Sequence, residues 1–417
     1  MLPEKDEDAA NLLALSLVLA TTISSMTALV IWLSGDALMS LLNAQALKPY
    51  LWLAPISVFL SGVFLALNYW NTRTKRFGRL SIARVTASVA TTGMQLVAGF
   101  SGYATGGSLI GAGIIGSTVS TLMLGGQIWR DNGWWLIKSF SLGNIKVGLK
   151  RYRKFPLFDT WSALLNSSSW QLPIFILSTF FSPTVVGYYA LGMMVLQLPT
   201  SLIGSAISQV FFQRGAEAKF NGSLPEVVEM TFLRLVVIGA LPTVLLSMTG
   251  EDIFIVIFGA TWVEAGVYAQ ILAIWIFFVF VTSPLSTVFS IFEKQGSFLI
   301  FNILLFCTRA AALIFGGFLG DARIALIIFS AVGVIDYAGM GLWILHKVGI
   351  PSLNILKFPG RSAAYLIFIL FIVVLAKWIF FLSPQKILLL DILLATLYYT
   401  LLLKNEYHSF SRFKSII

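Results

Sequence analysis

Two ionisable side chains lie near the middle of long apolar segments, where a charge is costly and is a functional candidate by default. Arg309 lies within segment 297–318, and Asp336 lies within segment 322–346. At about 1.5 Å of rise per residue, Arg309 lies roughly 18 Å and Asp336 roughly 15 Å from the helix ends on the same side of the membrane, so the two side chains can meet. One interpretation is a structural ion pair between neighbouring helices. The other is that Arg309 faces a central cavity and binds an anionic head group, with Asp336 modulating it.

A polar stripe follows one face of segment 157–180. Its members are Asp159, Ser162, Asn166 and Trp170. Residues at this spacing share one face of a helix. The stripe therefore predicts one wall of a water-filled cavity, whose amide, hydroxyl and indole groups bind a sugar. Close helix packing through polar residues is the alternative. Lys154 precedes the segment, so Lys154 and Asp159 either line the cavity or pair at the membrane interface.

A second stripe follows the next apolar segment, 184–210. Its members are Gln197, Ser201, Ser205 and Ser208. Because most of them are small serines, close helix packing is as good an interpretation as a cavity wall. Prolines cluster in the same two segments: Pro156, Pro173, Pro183 and Pro199. Proline removes a backbone donor and kinks a helix, so these segments are candidates for bending during gating.

The remaining titratable residues favour simpler interpretations. Four of them lie near segment ends, where long side chains reach the interface: Arg84, Arg234, Lys377 and Asp391. One cysteine and two histidines make a disulfide within the chain and a zinc site unexpected. The sequence also lacks a GxxxxGK[ST] phosphate loop. We therefore expect neither an enzyme nor a metal or organic cofactor.

The composition indicates what must position these residues. The chain has 417 residues, of which 58% are hydrophobic and 11% charged, whereas soluble domains average about 25% charged. Apolar runs of about 20 residues predict membrane-spanning helices rather than a barrel. We predict an all-α polytopic membrane protein with about twelve spans. They are 11–33, 49–70, 80–100, 105–126, 157–180, 184–210, 228–249, 266–291, 297–318, 322–346, 363–382 and 387–404.

The cations are distributed unevenly between alternate loops. One set of loops, together with the C-terminal tail, holds most of the loop Lys and Arg, and the other set holds only Lys48, Arg323 and Lys386. Such an asymmetry sets orientation, with the basic loops on the cytoplasmic side. It predicts that both termini are cytoplasmic, and it explains the net charge of +10 without nucleic acid.

An internal repeat predicts two pseudo-symmetric lobes. Tyr50 and Tyr268 follow similar stretches, Gly78 and Gly296 lie in similar hairpins, and both pairs are 218 positions apart. This offset pairs the first span with the seventh, so the repeat is six spans long. Because an even number of spans keeps the orientation, the two lobes are related by an axis along the membrane normal. The front lobe then has only four spans. We expect that the chain lacks the first two spans of a fourteen-span protein.

These considerations give a domain organisation. We predict an N-terminal lobe over residues 1–126 and a basic cytoplasmic linker over 127–156. A six-span C-terminal lobe follows over 157–346, and two additional spans with a cytoplasmic tail occupy 347–417.

Several stretches resemble bacterial oligosaccharide flippases. These belong to the polysaccharide-transport branch of the multidrug/oligosaccharidyl-lipid/polysaccharide exporter superfamily. Residues 2–16 resemble the segment after that family's second span, and residues 187–191 and 199–213 resemble its eighth span. The stretch 257–259 with Trp262 is also similar. The similarity runs along essentially the whole chain, although its motifs are structural rather than catalytic.

The resemblance implies flipping of an undecaprenyl-diphosphate-linked oligosaccharide across the inner membrane, for lipopolysaccharide or exopolysaccharide synthesis by alternating access. Protons or sodium are the candidate coupling ions. Expected partners are this lipid-linked substrate, the bilayer and other membrane proteins of polysaccharide assembly, without nucleic acid. A cation-coupled multidrug exporter of the same superfamily is one alternative. A polysaccharide polymerase or ligase is another, but the large outer loop typical of those enzymes is missing here.

Overall fold

Every regular element that the structure describes is a helix. The structure is a computed structural model, and it describes residues 6–41, 45–139, 141, 143, 160–350 and 360–414. The contacts divide the chain into two compact units, Met1–Trp161 and Ser162–Ile417.

The described part of the first unit contains four long helices. They are α1 (Asp6–Leu41), α2 (Leu53–Arg73), α3 (Phe77–Phe100) and α4 (Gly106–Ser139). Helix α2 packs against α1 and α4, and α3 packs against α4. A short 3₁₀ turn, Gln45–Tyr50, follows α1. Helix α4 continues to Ser139, well into the segment predicted as a linker.

The second unit contains ten helices in its described part. They are α5 (Thr160–Phe180), α6 (Pro183–Pro199), α7 (Ser205–Asn221), α8 (Leu224–Phe258), α9 (Val263–Thr282), α10 (Val288–Ile291), α11 (Gln295–Phe318), α12 (Ala322–Val348), α13 (Gly360–Val374) and α14 (Pro384–Lys414). Helix α9 packs against α6, α8 and α12. It supplies much of the buried core, including Tyr268, Leu272 and Trp275.

Two π-helical segments occur in the described part of the chain. Helix α6 ends at Pro199 and continues through Thr200–Gly204 into α7. Proline explains this break, because it cannot donate the helical hydrogen bond and its ring crowds the preceding turn. A second π segment, Leu375–Ile379, ends the helix that begins with α13.

The chain is a multi-pass helical membrane protein. Helices lie in all twelve segments that the sequence predicts as spans, and eight of those described are long and apolar enough to cross a membrane. Helix α5, which carries the first polar stripe, and the stretch from α6 to α7, which carries the second, are not among the eight. The number of twelve spans, the lobe symmetry and the predicted domain limits therefore stay predictions.

Local signals fix both ends of helix α12, which carries Asp336. The carboxylate of Asp321 precedes the helix and accepts hydrogen bonds from the backbone N–H groups of Arg323 and Ile324. This is a side-chain N-cap. Gly349 follows the helix with φ of 88°, a left-handed conformation that favours glycine. The limits of α12 along the chain are thus fixed at both ends.

Candidate functional site

Arg309 lies in the middle of α11 and is buried, with only 1% of its surface exposed. Its Nη1 donates a hydrogen bond to Oγ of Ser169 in α5, over 2.9 Å. Its Nη2 donates to the hydroxyl of Tyr337 in α12, over 3.3 Å. The guanidinium therefore joins three helices of the second unit.

Four aromatic rings surround the same guanidinium and form what we call the aromatic box: Trp170, Trp275, Phe329 and Tyr337. The distances from Cζ of Arg309 to the four ring centroids lie between 5.0 and 5.9 Å. At this range the negative faces of the rings attract the cation. The box therefore offsets part of the free energy that burying a charge costs.

No carboxylate among the described residues lies within ion-pair distance of Arg309. Asp336 instead accepts a hydrogen bond from Oγ1 of Thr308, over 2.7 Å. Helices α11 and α12 thus meet near the middle of both helices, but through Thr308. The predicted ion pair between Arg309 and Asp336 does not form in this conformation.

Two N–H groups at this site have no hydrogen-bond partner in the described part of the chain. They are Nε–H of Arg309 and Nε1–H of Trp275, and both nitrogens are buried. Buried donors are normally paired, and an unpaired one costs about 1–3 kcal/mol. The box therefore holds a positive charge together with two unused donors, a combination that suits an anion.

The predicted stripe on α5 faces α11. Asn166 donates from Nδ2 to Oδ1 of the buried Asn302, over 3.1 Å. Three residues further along, Ser169 contacts Arg309, and the Trp170 ring lies 5.6 Å from the Trp275 ring. In this conformation the stripe contacts a neighbouring helix, and Asn166, Trp170 and Arg309 belong to one polar seam within the unit.

The second stripe does not join this seam. Gln197 is exposed, and none of the described contacts connects it with the aromatic box. Ser201 is also exposed and donates to the backbone carbonyl of Leu198, over 3.0 Å. Lys154 and Asp159 lie outside the described residues. The assignment of these side chains to a cavity stays a prediction.

Sequence reasoning missed several members of the seam. Ser169 and Asn302 carried a usable signal, because Ser169 follows Asn166 by three positions and Asn302 precedes Arg309 by seven. Both spacings place two residues on one helical face. Trp275, Phe329 and Tyr337 carried no such signal, since aromatic residues are frequent throughout the chain.

The interpretation of Lys377 and Asp391 as residues that extend to the interface was wrong. Nζ of Lys377 lies 2.7 Å from Oδ2 of Asp252, and both side chains are largely buried. Asp391 is also buried, and its Oδ2 lies 2.6 Å from Oγ1 of Thr249. These charges are held by contacts between helices instead of by water.

Comparison with known proteins gives one informative result. A family model described as "Polysaccharide biosynthesis protein" matches residues 4–267, which is more than half of the chain. The match covers the first unit and extends through α5, α6, α7 and α8 into α9. A search of curated proteins finds no match.

Proposed function

Since the chain belongs to the family of polysaccharide biosynthesis proteins, we propose that it moves a lipid-linked oligosaccharide across a membrane. The substrate is an undecaprenyl-diphosphate-linked oligosaccharide, the membrane is the bacterial inner membrane, and the movement is alternating access without chemical conversion. The chain spans that membrane twelve times, in two pseudo-symmetric lobes with both termini in the cytoplasm.

Arg309 is the observation that carries this proposal. Arginine keeps its charge at any physiological pH, and its planar fork suits bidentate contacts with phosphate oxygens. Two unused N–H donors are available at this site, Nε–H of the guanidinium itself and Nε1–H of Trp275 in the aromatic box. A diphosphate is an anion with several acceptor oxygens, so it can accept from all of these groups at once.

Access to Arg309 requires a conformational change, because the side chain is covered in the conformation described here. We propose that α5 moves away from α11, which withdraws Ser169 and Trp170 from the guanidinium. Pro173 lies inside α5, one turn beyond Ser169. Such a proline favours bending at that point. The diphosphate then replaces Ser169 as the partner of Arg309.

The remaining predicted residues contact other parts of the substrate. Asn166, Trp170 and Gln197 bind the glycan through amide groups and an indole ring, Lys154 is a second cation for the diphosphate, and Asp159 and Asp336 adjust the local charge. The lipid tail stays in the bilayer. Other membrane proteins of polysaccharide assembly supply the substrate and take it up after transport.

Deletion and complementation in the source bacterium test the proposal. Deletion is expected to lower surface polysaccharide and to leave lipid-linked oligosaccharide on the cytoplasmic leaflet, and the wild-type gene is expected to restore both. Arg309→Ala should fail to restore surface polysaccharide at a normal level of protein in the membrane. Arg130→Ala is the matched control, because its side chain is 79% exposed. Unchanged polysaccharide after deletion would refute the function. Full activity of Arg309→Ala would refute the role of the box.

A further inference from the structure

A second buried polar cluster lies where α8, α14 and the π segment after α13 meet. It consists of Thr249, Asp252, Lys377 and Asp391, which we call the Lys377 cluster. Nζ of Lys377 lies 2.7 Å from Oδ2 of Asp252 and donates to the carbonyl oxygen of Met248 over 3.0 Å. The flipping mechanism proposed above does not use any of these residues.

The charges within this cluster do not balance if both carboxyl groups are ionised. Two carboxylates would then face one ammonium group, and Lys377 and Asp252 already form a direct ion pair. Asp391 interacts electrostatically with both of them, and only 4% of its surface is exposed. An unbalanced charge at such a position costs several kcal/mol. Protonation of Asp391 makes the cluster neutral.

The hydrogen bonds around Asp391 also allow a proton on its carboxyl group. Oγ1 of Thr249 lies 2.8 Å from the carbonyl oxygen of Leu245 and 2.6 Å from Oδ2 of Asp391. A hydroxyl has one hydrogen and can donate to only one of these oxygens. When Thr249 donates to Leu245, the short contact with Oδ2 needs a hydrogen from Asp391. The other carboxyl oxygen, Oδ1, is buried and has no hydrogen-bond partner in the described part of the chain.

We propose that Asp391 is a proton-binding site whose occupancy is linked to the partner of Lys377. With Asp391 protonated, Lys377 pairs with Asp252. When the ammonium group turns to Asp391, that carboxyl group releases its proton to water, and Asp252 takes one up to stay neutral. Lys377 lies within a π segment. Such segments carry one extra residue per turn and occur frequently at functional sites, so a change to regular α-helix would reorient this side chain.

A proton suits the cluster better than a metal cation. No group of three or more His, Cys, Asp or Glu side chains suited to a metal occurs in the described part of the chain. Sodium needs several oxygen ligands, and the neighbouring ammonium group would repel it. A proton needs only one carboxyl oxygen.

Infrared difference spectroscopy of the full chain in lipid nanodiscs tests this directly, through the carbonyl stretch of a protonated carboxylic acid. In mildly acidic buffer the wild type should show a component that Asp391→Asn removes. Asp252→Asn should remove the same component, because Lys377 is then free to pair with Asp391 and keep it ionised. Lys377→Met should increase the signal, since Asp252 then loses its partner and also takes up a proton.

Asp36→Asn is the control, because Asp36 is exposed and pairs with Lys48, and it should leave the band unchanged. The increase expected for Lys377→Met keeps the test meaningful if Asp391→Asn fails to fold. A band that Asp391→Asn does not alter, or that Lys377→Met does not increase, would overturn the proposal. A band that shifts when sodium chloride replaces choline chloride would assign the site to sodium and would overturn it as well.

The use of this proton in transport rests on the proposed function, and a separate measurement addresses it. In proteoliposomes a pH gradient should accelerate translocation of lipid-linked oligosaccharide by the wild type, but not by Asp391→Asn. If the protein translocates no such substrate, the proposed function fails while the infrared result stands. If translocation occurs and Asp391→Asn still responds to the gradient, the coupling role of Asp391 fails.

Discussion

Nη1 of Arg309 donates a 2.9 Å hydrogen bond to Oγ of Ser169, which ties a charge in α11 to a hydroxyl in α5. Nε of the same guanidinium has no partner among the described residues. Hydrogen bonds to charged groups contribute about 1.5–3 kcal/mol, so an anion that engages the whole fork can compete with Ser169. The box is therefore both a stable contact between helices and a site that a stronger acceptor can open.

Gly333 in α12 is a sensitive position for the box. A Cβ atom added there would collide with the indole ring of Trp275, whereas one added at Gly339 in the same helix meets nothing within 4 Å. Gly333→Ala should displace Trp275 and lower the free energy of unfolding by about 1–3 kcal/mol. Gly339→Ala should be neutral or stabilise the helix by up to about 1 kcal/mol. Thermal unfolding in detergent measures both, and equal effects would contradict the packing described here.

Exchanging the charges of Arg309 and Asp336 distinguishes the box from an ion pair. Arg309→Asp and Asp336→Arg should each lower the protein level in the membrane, and their combination should not restore it. The reason is that Asp336 accepts from Thr308, whereas Arg309 lies among aromatic rings. Immunoblots of membrane fractions give the levels. Recovery in the double variant would show that the two residues form an ion pair in the functional protein.

The sequence predicted the helices better than it predicted the contacts between them. Apolar runs give the helix positions because lipid requires them, and Arg309 was recognisable since a cation in such a run is rare. Its partners come from α5, α9 and α12, and among them only Trp170, in the predicted stripe, and Ser169, three positions after Asn166, carried a periodic signal. Lys377 and Asp391 were misjudged because nearness to a segment end was the criterion. Their burial depends on how α8, α13 and α14 pack, which local spacing does not indicate.

The predicted orientation can be tested with single cysteines, because Cys307 is the only native one. In a Cys307→Ala background, Tyr103→Cys lies in a predicted outer loop and Lys294→Cys in a predicted inner loop, and both positions are exposed. A membrane-impermeant maleimide should label Tyr103→Cys in intact spheroplasts. It should label Lys294→Cys only after the membrane is permeabilised. The reverse pattern would show that the asymmetry of the loop cations misassigns the orientation.

The ion pair between Asp252 and Lys377 should behave as a buried pair in a double-mutant cycle. Asp252→Leu forces the ammonium group to turn to Asp391, and Lys377→Met forces Asp252 to take up a proton, so each single variant loses the direct pair. Removing one partner of a buried pair costs about 3–5 kcal/mol, whereas replacing both with apolar residues is often neutral. The double variant should therefore be more stable than either single variant, as measured by chemical unfolding in detergent.

The pair between Asp36 and Lys48 provides the reference for this cycle. Its side chains are 81% and 55% exposed, so water solvates both charges and the pair should contribute only about 0–1 kcal/mol. Asp36→Leu and Lys48→Met should then have small and additive effects. Additive effects at Asp252 and Lys377 as well would mean that water reaches this cluster. The argument that charge balance holds a proton on Asp391 would then fail, because water would stabilise the ionised carboxylate.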